Sequence, residues 1–116
     1  EHDVRLLVDH RDALVGERQR IQQRLRWNCH DLELGLELPP RVLDRYVWLN
    51  RLEATLCSLP ASTRLRIALD QVARCRELTV GIRALEREIK VLTLELIPEL
   101  LAFPGCSPLR AAPLAA

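Results

Sequence analysis

Apolar residues recur along this chain at three- and four-residue steps, the period of helices with one buried face. From about Asp3 to Leu34, Leu7, Leu14, Ile21 and Asn28 fall seven apart, with Leu25 and Leu32 on the same face. This predicts one helix over about 3–34, some 45 Å long at about 1.5 Å per residue. Asp3 stands as its N-cap and Gly35 as its stop. Pro39-Pro40 interrupts the pattern, because neither residue donates a backbone hydrogen bond. A second helix is predicted over about 40–59, with Val42, Leu49 and Leu56 in one row and Tyr46, Leu52 and Leu59 in the alternate one. Pro60-Ala-Ser-Thr reads as a turn whose Ser62 or Thr63 caps the next helix.

The third helix, about 63–97, carries the strongest repeat. Cys75, Ile82, Ile89 and Leu96 hold one heptad position, and Leu78, Leu85 and Leu92 hold its partner three residues on. β-Branched residues at the first position and leucine at the second favour a parallel two-stranded coiled coil, so these seven residues are a candidate dimerisation seam. An antiparallel hairpin, with the seam packed on the first helix of the same chain, uses the same pattern. The flanking rows (Thr79, Glu86, Thr93; Arg74, Gly81, Glu88, Glu95) carry no clear charge code, which leaves the direction open. Gly16 and Gly81 inside helices each cost about 1 kcal/mol against alanine, which calls for support from packing. Pro98 ends or kinks the third helix, and an irregular Pro/Ala-rich tail comes after it. The expected fold is all-α, with about three long helices in an extended hairpin or coiled coil over 1–103. The short tail over 104–116 is expected to be disordered.

Composition supports this picture. Leu, Arg, Ala, Glu and Lys supply about half of the 116 residues, a profile typical of long helices and coiled coils. Two Trp, one Tyr and one Phe give little bulk for a compact core, and four Gly provide no phosphate-cradling loop. A nucleotide-binding α/β enzyme is therefore excluded. The net charge of +1 produces no global field. Cys29, Cys57, Cys75 and Cys106 form no CxxC pair, and His2, His10 and His30 add no metal-ligand spacing. Free, mostly buried thiols in a reducing cytoplasm are the expectation. No stretch reaches the length of a membrane span.

The richest stretch chemically is Arg18-Gln-Arg-Ile-Gln-Gln-Arg-Leu-Arg-Trp-Asn-Cys-His, which holds no acid. Guanidinium groups clamp phosphate oxygens, Gln and Asn reach base edges or sugars, and an indole face stacks on bases. Arg18, Arg20, Arg24, Arg26 and Trp27 are thus candidate nucleic-acid contacts. Arginines on a helix also make an ordinary solvated face, and the pI near 8.0 does not decide between the two. Asp3, Asp9 and Asp12 are flanked by Arg5 and Arg11 and do not make a metal site. Ser58, Ser62 and Ser107 have no histidine base in a recognisable arrangement. No catalytic constellation is expected, and no cofactor or metal.

Several segments, in order, resemble one family. Leu7-Val-Asp-His-Arg-Asp-Ala-Leu-Val-Gly-Glu-Arg, Arg24-Leu-Arg-Trp-Asn-Cys-His-Asp-Leu, Leu43-Asp-Arg, Arg76-Glu-Leu-Thr and Leu100-Leu-Ala-Phe-Pro-Gly-Cys are similar to the middle of DEDD-type transposases of the insertion-sequence-110 family. The resemblance runs from about Val4 to Cys106. It implies a helical joining region between an RNase H-like domain, which would carry four acidic Mg ligands, and a serine-nucleophile domain. It also implies DNA transposition and recombination guided by a structured RNA, a homodimer, DNA and guide RNA as partners, and a bacterial cytoplasmic location. On this reading the acidic tetrad precedes Glu1 and the serine domain starts at Pro104-Gly105. Ser107 stands where the family has glycine and Arg110 where it has threonine, so Ser107 is not the nucleophile. The chain is then expected to be a truncated copy without catalytic activity of its own. A small all-helical dimeric enzyme of the chorismate-mutase kind, its arginines holding a dianionic substrate, is the alternative; a plain coiled-coil scaffold is a third.

Overall fold

The computed structural model describes the backbone of residues 2–101 and the side chains of residues 2–96. The fold is all-α: helix α1 (His2–Asp31), a 3-10 turn (Val42–Asp44), helix α2 (Tyr46–Cys57) and helix α3 (Thr63–Leu101), with no strand among the described residues. No helix there is long and apolar enough to cross a membrane. The expected tail over 104–116, with Cys106, Ser107 and Arg110, lies outside the described residues.

The element boundaries depart from the expected ones for local reasons. Helix α1 ends at Asp31 and not near Leu34, because Glu33 takes a left-handed position two residues past the end (φ 52°), ahead of Gly35, which is left-handed too (φ 69°). Leu32 N–H still reaches the Asn28 carbonyl at 3.0 Å and Glu33 N–H the His30 carbonyl at 3.1 Å, closing the last turn. The second helix does not begin at Pro40. Arg41 turns left-handed (φ 67°) and Arg45 is extended, so a short 3-10 turn stands between them and α2 starts at Tyr46. That turn drives Leu43 fully into the core. Helix α3 starts as expected, with the Ser62 hydroxyl accepting the Leu65 N–H at 3.1 Å. It passes Pro98 and ends at Leu101, since a proline forfeits one hydrogen bond but has a backbone angle helices accept.

Packing divides the chain into two units. In the unit of residues 15–80, the second half of α1, the 32–45 segment, α2 and the first half of α3 enclose one core. Leu25, Leu43, Leu49, Leu52, Leu56, Ala68, Val72 and Cys75 are fully buried there, with Cys29 and Leu65 nearly so. Each buried leucine contributes about 1.5–3 kcal/mol. Leu32, Leu34, Leu36 and Leu38 alternate with exposed Glu33, Gly35, Glu37 and Pro39 and lay one edge on this core. The two long helices run antiparallel in this unit: Asn28 donates to Gln71 at 2.7 Å, Arg64 pairs with Asp31 at 2.6 Å, and Arg74 pairs with Glu17 at 2.7 Å. Arg76 ties α3 to Glu53 and Asn50 of α2.

The other unit comprises residues 1–14 and 81–116. Its described part is the start of α1 against the later part of α3, again antiparallel. Arg11 pairs with Glu86 at 3.3 Å, and Leu14 lies 3.7 Å from the place of a Cβ on Gly81. Val4, Ile82, Ile89 and Thr93 are buried in it.

The heptad row expected to join two chains is therefore occupied within one. Cys75 and Leu78 are buried in the first unit and Ile82 and Ile89 in the second, while Leu85, Leu92 and Leu96 are half-buried. In each unit the row packs as the antiparallel hairpin expects. A partner helix on the same chain is present at a far higher effective concentration than one on a second chain.

Candidate nucleic-acid interface

The arginine-rich stretch lies wholly on α1 within the 15–80 unit, and helical geometry splits it. At 3.6 residues per turn, Arg20 and Arg24 stack on one face, whereas positions 18 and 20, or 24 and 26, point to nearly opposite sides. The four arginines therefore do not form one surface.

Arg18 turns inward. Its side chain is only 12% exposed; Nη1 donates to Thr79 Oγ1 at 3.2 Å and Nε lies 3.5 Å from Asp44 Oδ1. The Nε contact is an ion pair without the alignment of a hydrogen bond. Thr79 passes the chain on, its hydroxyl donating to the Cys75 carbonyl at 2.8 Å. Gln22 donates to the same Asp44 oxygen at 2.7 Å. Arg26 is equally engaged: its two terminal nitrogens donate to the carbonyls of Leu38 and Pro39 at 2.7 and 2.8 Å. Both are candidate phosphate contacts from sequence; the structure gives both to the fold, because a half-buried guanidinium must satisfy its donors locally.

Arg20, Arg24 and Trp27 remain on the outer face. All three are exposed, Trp27 by 63% of its surface, with exposed Gln19 and Gln23 interleaved. Neither Arg20 nor Arg24 has an acidic partner among the described residues. The Arg20 guanidinium lies along the helix near Gly16, 3.5 Å from the place of a Cβ. Trp27 meets His30 edge to face, with ring centroids 6.3 Å apart.

Beside this face, a cleft of about 630 Å³ runs between α1 and the 3-10 turn, lined in part by Arg18, Gln22, Arg26, Arg41 and Asp44. Its cationic floor is already neutralised by Asp44 and by backbone carbonyls, which leaves Arg41 at the rim. A dianion entering it would have to displace these internal bonds. Among the described residues no three His, Cys, Asp or Glu side chains gather as a metal site. Burial pushes the Cys29 and Cys75 thiols up to about 11, against the lesser pull of Arg26 on the first and Arg18 on the second.

Sequence reading missed the polar row inside the hairpins. In the 15–80 unit it is Arg18 on Thr79; in the other unit it is Arg11 on Glu86, with Thr93 further along α3. The signal is present: Val4, Arg11, Arg18 and Leu25 fall seven apart on α1, as do Val72, Thr79, Glu86 and Thr93 on α3. Compared with protein-family models, curated proteins and solved structures, the chain matches none of them.

Proposed function

We propose that this chain is a non-catalytic helical module that contacts nucleic-acid phosphates, serving as the joining region of a DNA transposase guided by RNA. The observation that carries the reading is the outer face of α1, where Arg20 and Arg24 stack one turn apart beside an indole that is 63% exposed. Guanidinium groups free of acidic neighbours bind phosphate, and an exposed indole supplies a stacking surface for an unpaired base. The segment-by-segment likeness to insertion-sequence-110 transposases supplies the transposase context. The chorismate-mutase-like alternative is disfavoured by Arg18 and Arg26, whose donors are spent on Asp44, Thr79 and two carbonyls.

The test is the salt dependence of binding to a structured RNA with single-stranded loops, and to duplex DNA. Replacing Arg20 and Arg24 together by alanine removes two phosphate contacts and flattens the log–log salt slope by about 1.4–1.8. Trp27→Ala weakens loop RNA more than duplex DNA. An unchanged slope in the double variant returns this face to ordinary solvated arginines. A small dicarboxylate that raised the melting temperature, with RNA without effect, would favour the enzyme instead.

A further inference from the structure

The cleft between α1 and the 3-10 turn, about 630 Å³, has the size of a small-molecule site, a class that spans about 300–1,000 Å³. Two of its arginines are spent, Arg18 on Thr79 and Asp44 and Arg26 on two carbonyls. What its wall still offers is a short polar row. The Gln22 amide donates one N–H to Asp44 Oδ1 at 2.7 Å and carries a second N–H that this bond does not use. Asp44 Oδ2 takes no part in the contacts made by Oδ1, and the side chain is 42% exposed. In order, Gln22 Nε2, Asp44 Oδ1 and Asp44 Oδ2 read donor, acceptor, acceptor. The pairing edge of cytosine presents the same order.

We propose that this cleft holds an unpaired guanine of a single-stranded nucleic acid, with Gln22 and Asp44 reading its pairing edge. Guanine O6 accepts from Gln22, while its N1–H and N2–H donate to the two Asp44 oxygens. Among the common bases only guanine sets two adjacent donors against a carboxylate, which can only accept. Adenine and cytosine place a ring-nitrogen lone pair beside their amino group, and uracil sets one donor between two carbonyls. Each of these aims a lone pair at the carboxylate. An uncharged base also suits a cleft whose cations are already balanced, where a phosphate does not.

Leu38 and Pro40 give the cleft an apolar side for the plane of the ring. Exposed Arg41, which has no acidic partner among the described residues, stands at the rim for the nucleotide's own phosphate. The cleft adjoins the outer face of α1 through Gln19 and Gln23, which line it and each precede an arginine of that face. The inference deepens the nucleic-acid reading and rests on it: Arg20 and Arg24 hold the strand, and the cleft selects the base that stands out from it.

Fluorescence anisotropy of the full 116-residue chain with oligouridine strands that carry one central guanine, inosine or adenine tests this. The guanine strand binds about fivefold tighter than the adenine strand, or more, and inosine, which lacks the N2 amino group, falls between them. These wild-type ratios depend on no variant folding. Asp44→Asn brings the guanine strand down to the affinity of the adenine strand and leaves the adenine strand unchanged. Replacing Arg20 and Arg24 by alanine weakens all three strands alike and keeps their ratios. Equal binding of guanine and adenine strands by the wild type, or a guanine preference that survives Asp44→Asn, overturns the proposal and leaves the phosphate contacts standing. A guanine preference that stays while the two arginine changes alter no affinity overturns the phosphate contacts and keeps the cleft. Failure of every strand to bind ends both. Guanosine monophosphate that binds as tightly as the guanine strand rules out a strand as the source of the base.

Discussion

Residues 15–80 and the helix pair of 2–14 with 81–96 are built from the same two long helices, yet they bury different things. The first unit adds α2 and the 32–45 segment, and with three directions of cover it buries eight apolar side chains completely. The second has one helix against another. It buries Val4, Ile82 and Ile89 together with a threonine whose hydroxyl finds no hydrogen-bond partner among the described residues. A helix with one neighbour buries one stripe. The third direction of cover, more than the heptad pattern itself, sets how much of each leucine is hidden and how firmly each region resists local opening.

The sharpest way to break this contrast is in the cores. Leu52→Ala in the first unit is expected to cost close to the upper end of about 2–5 kcal/mol, and Ile89→Ala in the second close to the lower end of that range. Urea denaturation of the two variants measures both, and equal losses would show that the units are equally well packed.

Alkaline pH should act on the first unit, because its buried Cys29 and Cys75 are held up to about 11 from an ordinary 9.0. The folded state favours the neutral thiols, so their contribution is complete below about pH 9. It is lost as the pH climbs through about 11, a loss on the order of a few kcal/mol for the two together. Melting temperature against pH, for the wild type and for Cys29→Ala with Cys75→Ala, reads this out: the double variant loses the decline. At pH 8, iodoacetamide should label exposed Cys57 quickly and Cys29 and Cys75 only on unfolding.

The two buried threonines sharpen the comparison further, since one substitution should act with opposite signs. Thr79→Val removes an acceptor for Arg18 and a donor to the Cys75 carbonyl, and should destabilise by about 1 kcal/mol. Thr93→Val replaces a buried hydroxyl without a partner among the described residues by a methyl group of the same shape, and should stabilise by about 1 kcal/mol. The smallest expected change is Gly81→Ala. An added Cβ meets Leu14 Cδ1 at 3.7 Å, an ordinary contact, so the helix gains up to about 1 kcal/mol. Destabilisation at that position would mean that α1 lies closer than the structure places it.

Three helices and their buried rows are legible in the sequence because period and length are local signals. Ile82 and Ile89 are buried as their spacing requires; the identity of the helix that covers them is not legible, because a heptad row has the same spacing whichever helix lies on it. Within their unit the start of α1 is the helix that covers them. The second helix is shorter than its pattern because Arg41 takes a left-handed conformation that its residue type does not announce. The 32–38 segment carries a signal of its own: Leu at every second position is the mark of an extended strip with one edge down. Of the arginine-rich stretch, Arg20, Arg24 and Trp27 are exposed. Arg18 and Arg26 turn to internal partners, which the sequence does not announce, since charge alone does not say which side of a helix a residue occupies and Asp44, Thr79 and Leu38 lie far along the chain.

Arg26 sets a condition on how this sequence can drift. One planar fork satisfies two successive carbonyls, at Leu38 and Pro39, where the backbone after α1 doubles back. An ammonium is a point charge on a flexible stem and does not reproduce that planar geometry. Exchange of arginine for lysine should then be tolerated at 20 and 24, yet selected against at 26. Two neighbouring positions of the same charge would evolve under different rules, one read by solvent or ligand and the other by the chain itself.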